Sequence, residues 1–305
     1  MRMINITLVG SPIDPLTEKK RALPSPGQRG LKRFFRDRIG IAGLILITLV
    51  VFSAFAAPFL GQGDPLAQEY GSRLDPPSTI HPLGTDELGR DVLSRVFFGG
   101  RISFIVGILS VAMASVVGVT SGIAAAYSGS WFDALLMRIM DAILVLPAVL
   151  WGVIVTTVFG ASANSLALAV ALVSLPQFAR LARASAIIEA QAQYVEAARS
   201  IGTRPLQIMA RHIFPNIVPP LIVQVTLTMA FAIQMEAGLS FLGLGVQPPD
   251  PSWGVMLSAS RLHLYRAPLY AIAPGFVLAL LLAGLSFMAD AARRALDPRR
   301  LADIK

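Results

Sequence analysis

Five stretches of this sequence, residues 39–63, 102–132, 142–179, 212–235 and 267–289, contain no Asp, Glu, Lys or Arg. Each exceeds the length of about 20 apolar residues that carries a helix across a hydrocarbon core of about 30 Å. The third runs to 38 residues and holds "FGASAN" near its middle, a Gly/Ser/Asn cluster that favours a turn. It therefore reads as a hairpin of two spans, and the chain as an all-α membrane protein of six helices. Composition agrees: 54% of residues are hydrophobic and 14% charged, against roughly 25% charged in soluble domains. The absence of cysteine removes disulfide, thiolate-metal and Cys-nucleophile chemistry together.

Basic residues set the expected orientation. With both ends on one side, that side holds nine Lys and Arg in residues 1–38, Arg138, five from Arg180 to Arg211 and five after Asp290. The other side keeps six: Arg73, Arg90, Arg95, Arg101, Arg261 and Arg266. The positive-inside rule then makes both ends cytoplasmic. The same distribution accounts for a net charge of +8 without nucleic acid, because the cations flank spans rather than form a patch. Residues 1–36 read as a mobile cytoplasmic tail with an uncleaved first span after it. Residues 37–100 hold that span and an external segment, 101–290 a unit of five further helices, and 291–305 a C-terminal tail.

The cytoplasmic loop between spans four and five, within 185–216, breaks the apolar pattern. Ile188, Ala192, Val195, Ala198 and Ile201 recur at helical spacing with polar residues around the other side. Gly202 stands where a helix C-terminus favours positive φ, and Thr203 with Pro205 forms a cap and first turn for a second short helix. That helix is expected to stop at Phe214, before Pro215, Pro219 and Pro220. The sequence thus predicts a rigid elbow. On the opposite side, Thr85 is expected to cap an interfacial helix with Asp86 and Glu87 in its first turn, an apolar stripe through Leu88, Val92 and Val96, and an end at Gly99-Gly100. Its charges read as local ion pairs. Ser110, Ala114, Gly118 and Gly122 form a small-residue stripe suited to close helix packing, favoured as internal over contact with another chain.

Polar side chains at membrane depth tend to face protein or water. Gln177, Gln224, Thr228, Gln234 and Glu236 are the candidate pathway-lining residues on that ground, with Gln224 and Thr228 one helical turn apart. No motor is present: a phosphate loop needs G-x-x-x-x-G-K-[ST], yet no lysine follows a glycine. A proton- or sodium-driven transporter would account for the polar residues but not for the elbow. An intramembrane hydrolase would need a nucleophile and base at depth, and His81, His212 and His263 all fall at or beyond span ends.

Glu196, Ala197, Ala198, Arg199, Gly202, Thr203, Pro205, Ile213 and Pro215 resemble the "EAA" loop of permease subunits of ATP-binding-cassette importers. His212 and Phe214 stand where that loop usually has isoleucine and leucine. "HPLGTDELGRDVLSRVFFGGRISF" from His81 and "EAGLSFLGLGVQPPDPSWG" from Glu236 are similar to signatures of the second permease subunit of dipeptide, oligopeptide and nickel importers. The resemblance extends from Arg33 to Arg294. It implies a type I importer permease fold and a coupling helix that docks on a cytoplasmic ATPase, with Glu196 offering an acceptor and the two alanines keeping the surface slim. It implies a second permease, two ATPases carrying ATP and Mg, and an external substrate-binding protein as partners in a prokaryotic cell membrane. This chain itself is expected to bind no cofactor and catalyse no reaction. Short peptides are the expected cargo, with nickel or another chelated metal, glutathione and oligosaccharides as alternatives within the family.

Overall fold

The computed structural model describes residues 33–60, 64–69 and 71–296. The expected mobility of the tail over 1–32 lies outside these residues, as does the end of the chain after Leu296. Eleven helices lie wholly among the described residues, in order α1 Arg38–Phe55, α2 Ala57–Leu60, α3 Val92–Ser128, α4 Ser130–Val145, α5 Ala148–Phe159, α6 Ala163–Glu189, α7 Gln193–Ser200, α8 Pro205–Ile208, α9 Phe214–Phe241, α10 Trp253–Ser260 and α11 Pro268–Leu296. A π-helical turn, Met209–Ile213, joins α8 to α9. No strand occurs among the described residues, whose only β feature is an isolated bridge between Thr85 and Asp91.

Among the described residues five helical stretches are long and apolar enough to cross a membrane: α1, α3, α6, Pro205–Phe241 and α11. The sixth candidate is broken. The helices α4 and α5 meet at a 90° bend, and α5, at 12 residues, is about 18 Å long at 1.5 Å per residue. Pro147 is the cause, since it pushes Leu146 out of the helical region to φ −84°, ψ 133°. The expected cytoplasmic loop around Arg138 is itself helical, within α4. The turn at Gly160–Ser162 falls within the expected "FGASAN", but the span before it is the bent pair α4 and α5 rather than one straight helix.

Helix packing is organised by small residues. A side chain at Gly118 would meet the Leu175 carbonyl at 2.8 Å and the Phe178 Cβ at 2.7 Å. Gly122 lies against Ala179 and Ala182. The stripe on α3 is therefore used internally, against α6. A second close approach joins α1 to α11, where a Cβ on Gly43 would lie 2.7 Å from the Gly284 carbonyl. Arg294 closes that pair by donating to Asp37 at 2.8 Å. The start of α1 and the end of α11 thus share one end of the bundle, and residues 291–296 belong to the last helix rather than to a tail.

Residues 64–69 and 71–100 lie at the other end, and here the structure differs from expectation. Thr85 caps no helix: its hydroxyl donates to the Ser72 carbonyl and accepts from the Asp75 amide. The Asp86 carboxylate instead accepts from the Leu88 and Arg90 amides at 2.8 and 2.9 Å, folding 85–91 into a loop. Gly89 turns back at φ +75°. Asp91 is the true cap, accepting from Ser94 at 2.7 Å, and the helix runs on through Gly99-Gly100 as the start of α3. The glycines do not end it, because the Trp253 indole fills the space beside Gly100.

Candidate functional site

The elbow forms at the end of the bundle shared by Asp37 and Arg294. Span four stops at Glu189, residues 190–192 turn, and α7 begins at Gln193. Ile188 therefore belongs to α6 and not to an elbow helix starting there. Gly202, at φ +77°, ends α7 with two capping bonds, Gly202 N–H to the Arg199 carbonyl at 2.9 Å and Thr203 N–H to the Ala198 carbonyl at 3.1 Å. Thr203 gives the next helix no side-chain cap; its N-cap residue is Arg204, with Pro205 in the first turn.

The elbow has two faces. Val195, Ala198, Ile208 and Ile213 are buried in one cluster with Ile123, Phe178 and Ala186 of α3 and α6. Ala198, expected on the docking surface beside Ala197, is turned into this core, as is Ile213. Outward, Ile201 is 83% exposed, Leu206 75% and Ile188 71%. Glu196, Ala197, Arg199, Gly202, Pro205 and Pro215 are exposed as well, and Thr203 is half-buried. Arg199 also lies over the Tyr127 ring at 5.2 Å, tying α7 to the end of α3.

Two residues of the elbow carry roles that helical periodicity alone does not reveal. The Tyr194 hydroxyl donates to the Glu189 carboxylate and accepts from Asn216 Nδ2 at 3.1 Å, so one phenol joins the end of span four to the start of span five. Burial, reinforced by the bond to Glu189, pushes the Tyr194 pKa up to about 12. Asn216 also donates to the His212 carbonyl at 2.7 Å. Pro215 does not break the chain here. The π-turn places the Phe214 N–H on the Met209 carbonyl, five residues back, and α9 then continues through Pro219 and Pro220 to Phe241.

The candidate pathway residues separate into three groups. Gln224 Nε2 donates to Gln177 Oε1 at 2.9 Å and to Thr228 Oγ1 at 3.1 Å, so α6 and α9 bring these three together. Gln234 is exposed elsewhere on α9. Glu236 lines nothing: it is fully buried, accepting from Ser103 at 2.6 Å and Ser240 at 3.0 Å. A buried carboxylate needs such donors, and "EAGLS" places Ser240 one helical turn from it.

Glu236 belongs to a lock at the opposite end of the bundle from the elbow, built from the two long stretches that begin at His81 and Glu236. Trp253, capped into α10 by Ser252, donates to the Val96 carbonyl at 2.9 Å. Arg95 reaches the carbonyls of Pro65 at 3.1 Å and Pro249 at 3.4 Å. Its Nε lies 3.3 Å from the Asp86 carboxylate, which Arg90 also meets at 2.6 Å. The expectation of local ion pairs holds, and they are buried.

Residues 114–301 match the family of binding-protein-dependent transport system inner membrane components, and residues 25–77 match the N-terminal TM domain of oligopeptide transport permease C. The chain is 37% identical to the dipeptide transport system permease protein DppC of Alkalihalophilus pseudofirmus, over 94% of this chain and 95% of that one. It is 38% identical to the di/tripeptide transport system permease protein DppC of Pseudomonas aeruginosa, over 93% and 96%. The glutathione transport system permease protein GsiD of Pectobacterium atrosepticum is 36% identical, over 92% and 94%. Among solved structures, a chain of the inward-facing MetNI methionine ABC transporter superposes with a TM-score of 0.55 at 17% identity, covering 67% of this chain and 96% of that one. With its long apolar helices, this chain is a multi-pass membrane protein of the type I ABC importer permease fold. It belongs to the family of binding-protein-dependent transport system inner membrane components.

Proposed function

We propose that this chain is the second permease subunit of an ATP-driven importer of short peptides. It pairs with a related permease to enclose the pathway, takes cargo from an external binding protein, and receives mechanical work at its elbow from two ATPases that hold ATP and Mg. Both chain ends then lie in the cytoplasm of a prokaryote, and the subunit is a transporter component rather than an enzyme. The observation that carries this reading is the outward face of the elbow. Two large apolar side chains, Ile201 and Leu206, stand clear of the chain's own core on a segment braced by Tyr194, with Ile188 exposed at the end of α6, the form expected of a surface completed by another protein. A rigid brace between spans four and five lets a rotation at that surface move both helices together.

Peptides are favoured over the other cargoes because dipeptide and di/tripeptide permeases match over more than nine-tenths of the chain. Glutathione, in the name of a relative at 36% identity, is the alternative cargo. Gentle extraction of a C-terminally tagged chain from native membranes, with mass spectrometry of what copurifies, tests the assignment. A second permease and one or two ATPases are expected. Recovery of the chain alone, in a detergent that preserves a known importer, would favour an ion-coupled transporter.

A further inference from the structure

We infer that Gln177, Gln224 and Thr228 form a station on the transport pathway that binds the main chain of the cargo peptide; this rests on the peptide-importer reading above. All three lie well inside their helices. Gln177 is twelve residues before the end of α6, and Gln224 is ten residues into α9. The Gln177 side chain is exposed on the surface of this chain, and Gln224 is half-buried beside it. Lipid offers no partner for an amide. This face therefore meets protein or an aqueous path.

The hydrogen bonds decide which groups are left open. Gln224 spends both amide hydrogens, one on Gln177 and one on Thr228, which leaves its own carbonyl oxygen as an acceptor. Gln177 has its carbonyl engaged and its NH2 open. The pair thus leaves one donor group and one acceptor without a partner within the chain, and reversing both amides leaves the same complement. A peptide group presents one carbonyl and one N–H. The two glutamines offer it the pairing that a strand edge offers, without reading any side chain. The sequence tolerance required of an importer of short peptides follows from that geometry.

The face is polar beyond the pair. Arg180, one turn along α6 from Gln177, meets Asp141 of α4 at 2.5 Å with both side chains about half exposed. Gln177 thus begins a hydrophilic strip that leads toward the elbow end of the bundle.

The test uses the complete importer, reconstituted in liposomes with its binding protein. Two probes are compared, trialanine and trialanine methylated on a backbone nitrogen, both saturating the binding protein. Wild type is expected to carry the parent faster than the methylated peptide. Gln177→Ala and Gln224→Ala are expected to lower trialanine uptake by about five- to tenfold, as loss of one or two hydrogen bonds dictates, and to bring the two uptake rates together. Subunit copurification and binding-protein-stimulated ATP hydrolysis should stay within about twofold of wild type, the scale of a surface change. Unchanged uptake and discrimination in both variants would overturn the station. So would loss of the second permease from the Gln177→Ala complex, which would make the residue a subunit contact. Failure of the wild-type complex to import either peptide would instead reject the peptide-importer reading itself.

Discussion

The two ends of this bundle solve opposite problems. At one, Trp253, Arg95, Asp86 and Glu236 are almost completely buried, and each finds its partner within the chain. At the other, Ile201 and Leu206 stand 83% and 75% exposed on a segment anchored by only one face. The buried lock of the first end is satisfied within the chain, although Leu262 and Tyr265 beside it stay exposed, whereas the elbow carries its exposed apolar residues on a segment held by one face. On the proposed function that division is mechanically useful: a fixed block would give the helices a reference against which a partner at the elbow could work.

The largest effect that would break the comparison is expected at the closed end. Asp86→Ala leaves Arg90 and Arg95 buried without their shared carboxylate, a loss of about 3–5 kcal/mol, visible as a fall in thermal stability of the detergent-solubilised protein. Trp253→Ala removes a 1%-exposed indole and its bond to Val96 and should cost a similar amount, about 3–5 kcal/mol. Survival of either variant at wild-type stability would mean that the lock is not structural.

Changes at the open end should sharpen the contrast by sparing the fold. Ile201→Ala is expected to alter stability by less than about 0.5 kcal/mol, as for a surface substitution, while ATPase copurification falls by about tenfold, the scale of a lost apolar anchor. Gly202→Asp faces open space but must hold φ +77°, at a cost of roughly 1–2 kcal/mol. It should insert normally and fail to transport, as should Glu196→Lys. Tyr194→Phe removes both bonds of the brace and is expected to cost about 1 kcal/mol and to lower uptake more than stability.

The smallest effect concerns the Asp37–Arg294 tie. The Arg294 hydrogen bond holds the Asp37 carboxyl below its ordinary value. A depressed carboxylate contributes stability above its unfolded pKa and loses it as pH falls through the folded one. The tie should therefore persist at neutral pH and weaken only below about pH 4. Hydrogen exchange at the start of α1 should rise there in wild type, and Asp37→Asn should remove that pH dependence.

The sequence made the spans, the elbow and the Gly202 turn legible because each has a local cause: a charge-free run, a helical period, a residue tolerant of positive φ. It concealed features decided at long range. Gly99-Gly100 resembles a helix end until Trp253, more than 150 residues away, occupies the gap they leave. Thr85 with two following acids imitates a helix start, but Asp86 is drawn to Arg90 and Arg95 instead. Pro215 resembles a stop until a π-turn shifts the hydrogen-bond register ahead of it. Glu236, counted with the polar pathway residues by composition, turns inward because Ser103 approaches from another helix. Of the candidate pathway set, only the Gln224–Thr228 spacing foretold a contact, and Gln177 joined it through packing of α6 on α9.

The absence of native cysteine permits the most direct test of the open end. Ile201→Cys and Leu206→Cys would be labelled with a membrane-impermeant maleimide in inside-out vesicles, before and after the ATPases are stripped away. The account predicts rapid labelling of stripped vesicles and protection when the ATPases are bound, with Ile80→Cys at the closed end reached only from the outer side. Equal labelling of Ile201→Cys with and without the ATPases would contradict it.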